Sequence, residues 1–297
     1  VTSPPASEPE PAYETKVDGN NILIKKQGKS KSSSSQIELT LLEKDKVEGT
    51  DVMSFKFSKQ GDQGEGKTDK SPLDYTAGQF AFFDIGGVYN DPKGPIRHFT
   101  ISSSPTENFI MFSTRIRDSP YKRRLSTLEE GMKVKVRGPE GQFVLHQDYS
   151  KPAVFLSGGI GVTPFRTMIK YATDEQLPLK IIMFDSNRDR DNILFKKEFD
   201  EWANVNKNLK IIYTISEENQ RGSQSPSSTA QSDTDWKGEY GRIDKAMILK
   251  YVDTNTLNNS IFYICGPPSM LKAMQALLEE ELEIPKEQIR VEEFTGY

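Results

Sequence analysis

"AVFLSGGIGVTPFRTM" spans residues 153–168, and it decides the fold of the second half of the chain. An apolar strand runs into Gly158-Gly159, continues through Gly161, and meets Thr163-Pro164 at the head of an amphipathic run, "TPFRTMIKYATDEQ". Glycines let the backbone approach a phosphate closely. Thr163 is able to cap a helix, and Pro164 suits a first helical position. Helix-start amides then favour an anion. Alternatively, a tight strand–helix turn needs glycine for geometry alone. Strand, glycines, cap and helix agree, so the stretch predicts a dinucleotide-binding loop.

Outward from this loop, strand-like runs alternate with helix-like ones. "LKIIMFDS" precedes "ILFKKEFDEWANV", and "LKIIYTIS" precedes a polar insert at 216–235. "DKAMILKYV", "SIFYICG" and "PSMLKAMQALLEEEL" follow. Fully apolar strands alternating with helices predict a parallel, Rossmann-like sheet covered on both faces. Upstream the rhythm differs. "QIELTLLEKD", "DVMSFKFS", "GQFAFFDI", "RHFTISSS", "NFIMFSTRI" and "MKVKVRG" are short, alternating and rich in β-branched and aromatic residues. They predict an antiparallel barrel or sandwich, interrupted by one helix at 121–131 that Gly131 closes. Residues 1–35 are Pro/Ser/Glu-rich, then Lys/Ser-rich, and predict a mobile tail with one short strand in "NNILIKK". The expected organisation is therefore a tail (1–35), a β domain (36–149) and an α/β domain (150–297) carrying a flexible insert at 216–235.

A chain of 297 residues has room for two cores. Its net charge of −4, with both signs interspersed, gives no footprint for nucleic acid. One cysteine and two histidines exclude an internal disulfide and a Cys-rich zinc or iron–sulfur site, so no metal is expected. The same count points to a reducing compartment. No apolar run approaches the length of a membrane span, and no signal-peptide core is present. The chain starts at Val1 without methionine. The expected location is cytoplasmic, or the cytoplasmic face of a membrane if an anchoring segment precedes Val1.

Three further stretches carry chemistry. In "PIRHFTISSSP" (95–105), alternation sends Arg97 and Phe99 to one face and His98 and Thr100 to the other. A cationic fork, an aromatic plate and a hydroxyl could hold a flat, phosphorylated cofactor; a solvated arginine beside a core phenylalanine is the alternative. "RDSPYKRRLSTLEEG" (117–131) brings basic residues to a helix start, against the dipole, which suits either an anion there or a solvated face. "IFYICGPPSML" (261–271) puts the only cysteine at the end of a strand, where parallel sheets bind ligands and where a small buried hydrophobe is also at home.

Together these motifs resemble the ferredoxin–NADP reductase superfamily across residues 36–297, in the family's order: "RHFT", "SPYK", "GPEGQF", "SGGIGVTP", "YICGPP" and a terminal "EEF". The resemblance implies an FAD-binding β-barrel followed by an NAD(P)-binding domain, with NADPH or NADH as the second cofactor. It places Arg97 on the flavin nucleotide's diphosphate, Phe99 where the family usually has a tyrosine against the flavin, and Thr100 on the flavin's reactive nitrogen. His98 falls at a variable position between them. Ser119, Tyr121 and Lys122 replace the family's Gly-x-x-Ser, with charge where the serine supplied a hydroxyl. Gly158, Gly159, Gly161 and Thr163 match the pyridine-nucleotide diphosphate loop. Cys265, followed by Gly266 and Pro267, matches the cysteine beside the nicotinamide, as a polarizable wall and not a nucleophile. Glu292 and Phe294 match the terminal acid and the aromatic that shields the flavin, with Tyr297 as the alternative shield. Ser186 and Arg188 favour a 2′-phosphate, and Glu217 opposes it.

The implied activity is hydride transfer between NAD(P)H and flavin, then single-electron transfer to a separate carrier: a ferredoxin, flavodoxin, cytochrome or oxygenase component. A chain with one cysteine cannot itself hold a four-ligand cluster. The alternatives are a membrane-tethered cytochrome- or ferric-type reductase, and a non-catalytic nucleotide-binding interaction module.

Overall fold

The computed structural model describes residues 13–18, 21–26, 36–59, 73–216 and 236–293. Expectations for Glu217, for the rest of the insert beyond Ser216, and for Phe294 and Tyr297 lie outside the described residues. The chain divides into two compact units, Val1–Gln36 and Ile37–Tyr297. In the first, β1 (Tyr13–Asp18) pairs antiparallel with β2 (Asn21–Lys26), placing Asp18 opposite Asn21. Only β2 was anticipated. Tyr13, Thr15 and Val17 alternate with charged residues, a period-two signal diluted by the proline- and glutamate-rich run before it.

The second unit holds two six-stranded sheets. The antiparallel sheet contains β3 (Ile37–Lys46), β4 (Val52–Ser58), β5 (Phe80–Asp84), β6 (Ile96–Thr100), β7 (Phe109–Arg115) and β8 (Lys133–Glu140), in the order β6-β5-β8-β3-β4-β7. Phe55, Phe57, Phe83, Phe99 and Phe112 are buried inside it. Phe99 and Phe112 stack with centroids 4.2 Å apart and planes 5° apart. Helix α1 (Pro120–Ser126) adds Tyr121 and Leu125 to this core. It is shorter than expected. The hydroxyls of Ser126 and Thr127 donate to carbonyls one turn back, at 2.8 and 2.9 Å, where the helix stops. Gly131 (φ +86°) turns the chain beyond that end and does not cap the helix.

The parallel sheet contains β9 (Ala153–Gly158), β10 (Ile181–Asn187), β11 (Leu209–Ile215), β12 (Glu239–Tyr240), β13 (Ile261–Gly266) and β14 (Ile289–Glu293), ordered β12-β11-β10-β9-β13-β14. Every residue of β9 and β13 is buried, as their unbroken apolar runs require. Helices α2 (Thr163–Asp174) and α3 (Lys196–Val205) supply Phe165 and Phe199 to the core on one face. On the other, α4 (Lys245–Tyr251), α5 (Thr254–Asn259) and α6 (Pro268–Ala276) supply Ile248, Leu257 and Leu271. No helix among the described residues is long and apolar enough to cross a membrane.

The predicted order, antiparallel sheet then parallel sheet with helices, is the observed one. From β9 the chain moves to β10 on one side and later returns to β13 on the other. The turns after β9 and β13 therefore face each other at the sheet's switch point.

A buried cation joins the two sheets' domains. Arg166 of α2 is 1 % exposed. It donates to the Ser102 carbonyl at 2.9 Å and to Glu107 at 2.9 and 3.1 Å, both on the connection after β6, and to Glu198 of α3 at 2.5 and 2.9 Å. Beside it, the Thr167 hydroxyl donates to the Ser103 carbonyl at 2.7 Å. These contacts hold the connection after β6 against α2 and α3.

Candidate functional site

The loop after β9 is a 3₁₀ turn, Gly159–Val162, that runs straight into α2. Its glycines do different work. A Cβ on Gly158 would lie 2.3 Å from Met270 Sδ, and one on Gly161 would lie 2.3 Å from the Cys265 carbonyl oxygen. Both therefore permit the turns after β9 and β13 to pack together. Gly159 has φ +54°, and a Cβ there would meet only Arg115 Nη2, at 3.4 Å, so this residue faces open space. Thr163 does not cap. Val162 is already helical, and the Thr163 hydroxyl donates to the Ile160 carbonyl at 3.1 Å. No side chain caps α2, and its first amide, that of Thr163, donates to the Ile160 carbonyl of the 3₁₀ turn.

Two cavities meet this loop, and a third adjoins them at Arg117. The first, about 290 Å³, lies between barrel residues Phe99, Thr100 and Thr114 and the facing Gly159, Thr163 and Gly266. The second, about 710 Å³, opens beside Ser186, Asn187, Arg188, Ser216 and Arg242. The third, about 510 Å³, is bounded by Asp91, Arg97, Ser119 and Lys122. Arg117 lines all three.

Arg97 is buried and held by its own neighbourhood. Its Nη1 donates to the carbonyls of Lys93, Gly94 and Ile96, each at 2.8 Å, and its Nη2 pairs with Asp91. Asp91 also accepts from the Tyr121 backbone N–H at 2.9 Å. An internal carboxylate is thus the anion that the basic start of α1 called for. Tyr121 is fully buried, donates its hydroxyl to the Phe83 carbonyl at 3.0 Å, and carries Arg97 over its ring at 5.1 Å; it supports Arg97 without lining a cavity. Ser119 caps α1, accepting from the Lys122 amide at 3.2 Å.

Lys122 is 3 % exposed, reaches Thr114 Oγ1 at 2.5 Å and sits over the Phe99 ring at 4.6 Å. Burial, reinforced by the positive charges of Arg97 and Arg117, brings its amine down to about 7. Phe112 and Lys122 both contact the Phe99 ring, which is 4 % exposed. Alternation across β6 holds as expected, and it takes His98 away from the site. His98 packs against Phe80 and Phe82 on the other face, with centroids 5.2 and 5.7 Å away, and lines none of the three cavities.

On the nucleotide side, Gly266 and Pro267 line the first cavity, whereas Cys265 is wholly buried in the core on the α2 face. Burial and the neighbouring Glu292 push its thiol well up. Glu292 lies opposite Cys265 in the β13–β14 register, and burial raises its carboxyl to about 7. Nearby, Asp185 is fully buried and accepts from the Asn187 amide at 2.8 Å. Burial outweighs that bond and lifts its carboxyl to about 7.

The sequence reading passed over Asp91, Arg115, Arg117 and Arg242. Arg115 and Arg117 were visible as basic residues two apart where a strand gives way to "DSPYK", and Arg242 as a basic residue just past the insert. Asp91 sits in a polar loop with no local signal, and only the fold brings it to Arg97.

An elongated anion fits this surface: Gly159 presents a side-chain-free ledge, and Arg115, Arg117, Arg188 and Arg242 surround the second cavity. A flat ring fits the first, between Thr100 and Gly266. Comparison with known proteins gives the same answer. Residues 155–276 match the family model described as the oxidoreductase NAD-binding domain. The chain is 26 % identical over 259 residues to flavohemoprotein A of Dictyostelium discoideum, covering 83 % of this chain and 57 % of that protein. It is 32 % identical over 168 residues to nitrate reductase [NADPH] of Emericella nidulans, covering 52 % of this chain and 18 % of that protein. Its structure superposes on ferredoxin-NADP+ reductase from Plasmodium falciparum with a TM-score of 0.63 at 16 % identity, over 87 % of this chain and 96 % of that one. Residues 155–276 thus carry an oxidoreductase NAD-binding domain, and the chain shares its fold with ferredoxin-NADP+ reductase. The chain spans less than two thirds of these two curated relatives.

Proposed function

We propose that this chain is a member of the ferredoxin–NADP reductase superfamily that takes hydride from NAD(P)H onto FAD and passes single electrons to a separate carrier. One observation carries the reading: Phe99 and Thr100 of the barrel and Gly159, Thr163 and Gly266 of the α/β domain meet across a single cavity. Residues 36–149 serve as the FAD domain and 150–297 as the nucleotide domain. Bound flavin supplies the step from two-electron to one-electron chemistry.

The chain's own residues bind, orient and exclude water. Thr100 presents a hydroxyl at the cavity wall, and Arg97 and Lys122, with Ser119, hold the flavin's phosphate end. Gly159, in the 3₁₀ turn ahead of α2, offers the ledge for the nicotinamide nucleotide's diphosphate, while Gly158 and Gly161 keep the turn closed. Gly266 and Pro267 form the wall in front of Cys265. Glu292, close to neutrality and near Cys265, is the nearby proton-holding group. Ser186, Arg188, Ser216 and Arg242 gather polar and positive groups in the second cavity, which supports NADPH over NADH.

The carrier is a ferredoxin, flavodoxin, cytochrome or oxygenase component, because one cysteine supplies no cluster of its own. Two observations favour a second reading, a nucleotide-binding module without flavin: Asp91 already engages Arg97, and Lys122 already covers Phe99. Anaerobic stopped-flow separates the two. FAD-loaded protein mixed with NADPH, or with NADH, is expected to bleach rapidly, and faster with NADPH. A protein that stays colourless after incubation with FAD establishes the module instead.

A further inference from the structure

Lys122 is a poor place for a phosphate contact alone, because its amine points past the third cavity toward the first. The amine touches Thr114 Oγ1 at 2.5 Å and the Phe99 ring at 4.6 Å, and both of those residues line the first cavity. Lys122 itself lines the third. It therefore stands in the wall between the space for a ring and the space for phosphates.

We propose that Lys122 is the charge-compensating residue of the flavin site, an amine that gains a proton when the bound flavin accepts hydride. This rests on the flavoenzyme reading above. Hydride transfer breaks a C–H bond of the dihydronicotinamide, forms an N–H bond on the flavin and moves two electrons. The nicotinamide leaves as a cation and the flavin ring keeps one added negative charge. Lys122 takes its proton from water and presents an ammonium to that charge.

The surroundings make the amine easy to switch. On β6 it faces Arg97, whose charge is paired with Asp91 from the loop after β5. On the connection after β7 it faces Arg117. Arg115 of β7 pairs with Asp51, and Asp118 pairs with Arg123. Within α1 the Tyr121 hydroxyl is committed to Phe83. Burial, with the like charges of Arg97 and Arg117, brings the Lys122 amine down to about 7, so it is half-protonated near neutral pH. An added negative charge nearby would shift that balance to the ammonium. The serine usual at this position in the family has no such proton to gain.

The test is an anaerobic redox titration of the FAD-loaded protein, followed by flavin absorbance from about pH 6 to about pH 9, beside Lys122→Met and Lys122→Arg. Above neutrality the native protein is expected to show one extra tenfold change in the reduction equilibrium per pH unit, about 30 mV for a two-electron couple. Neither variant should show that extra slope. The Met variant should sit at lower potential throughout, and the Arg variant near the native value at the acid end. If the Met variant does not fold, the Arg variant still decides, since it keeps the charge and cannot titrate. Equal slopes in native and Arg proteins with FAD bound overturn the proposal. So does a Met variant that loses FAD while the native slope stays shallow, because the amine then serves the phosphates. A native protein that never binds FAD overturns the flavoenzyme reading, and this proposal with it.

Discussion

Two buried cations, Arg166 at the seam between α2 and the antiparallel sheet and Lys122 between the first and third cavities, are almost equally hidden, at 1 % and 3 % exposure. Their surroundings are opposite. Arg166 meets Glu107 and Glu198 and the Ser102 carbonyl. Burial works against its charge, and the hydrogen bonds it donates to Glu198 and Glu107 outweigh that. Lys122 meets a hydroxyl and an aromatic face, with Arg97 and Arg117 as its charged neighbours. The difference teaches what each is for. A charge neutralised on two sides holds a structure together at every pH. A charge held between losing and keeping its proton responds to whatever charge arrives next to it.

Breaking the seam should give the largest effect. Arg166→Met leaves two carboxylates facing an apolar side chain, and removing one partner of a buried ion network costs about 3–5 kcal/mol. Urea unfolding of the full chain would measure it; a loss below about 1 kcal/mol would show that the seam does not depend on this cation. On the flavin side, Arg97→Ala should weaken FAD retention by about 1.5–3 kcal/mol, the worth of a charge-assisted contact. Titration calorimetry with FAD reads this directly, and unchanged affinity would remove Arg97 from the phosphate site.

The glycines of the β9 loop sharpen the same contrast between packing and binding. Gly161→Ala drives a Cβ to 2.3 Å from the Cys265 carbonyl and should destabilise by about 1–3 kcal/mol. Gly159→Ala meets open space and carries only its positive φ, about 1–2 kcal/mol, yet it should weaken NADPH binding because its methyl enters the cleft. Thermal unfolding and nucleotide titration of the pair distinguish them; the idea fails if Gly159→Ala binds NADPH as tightly as the native chain.

The smallest effect concerns pH. Burial raises the Asp185 carboxyl to about 7, so the folded state keeps a proton that the unfolded chain releases near pH 4. Its contribution to stability is full below about pH 4 and is lost as pH rises through about 7. Lys122, whose pKa is lowered on folding, runs the other way, losing stability as pH falls toward about 7. Asp185→Asn should therefore flatten the decline in melting temperature between about pH 5 and pH 8, and an identical profile would show that the carboxyl ionises freely.

Much of the fold was legible because its signals are local. The apolar runs of β9 and β13 could only be strands covered on both faces, and alternation in "PIRHFTISSSP" put Arg97 with Phe99 as observed. The site was less legible. Thr163 looked like a cap, but the 3₁₀ turn before it already supplies helical backbone. His98 looked like part of the flavin stretch, yet the pleat that aims Arg97 inward sends it outward. Cys265 sits behind Gly266 and Pro267, deep in the α2-side core.

What the sequence by itself determined was the succession of elements, the glycine loop, and the exclusion of an internal iron–sulfur cluster. Each follows from residue type and spacing along a few consecutive positions. Only the tertiary structure decided that Gly158 and Gly161 answer packing while Gly159 faces the cleft. It alone brought Asp91 to Arg97, Arg117 to the junction of three cavities, and the Lys122 amine onto Phe99. Burial and charge at a side chain are set by neighbours distant in sequence, and those neighbours exist only once the chain has folded.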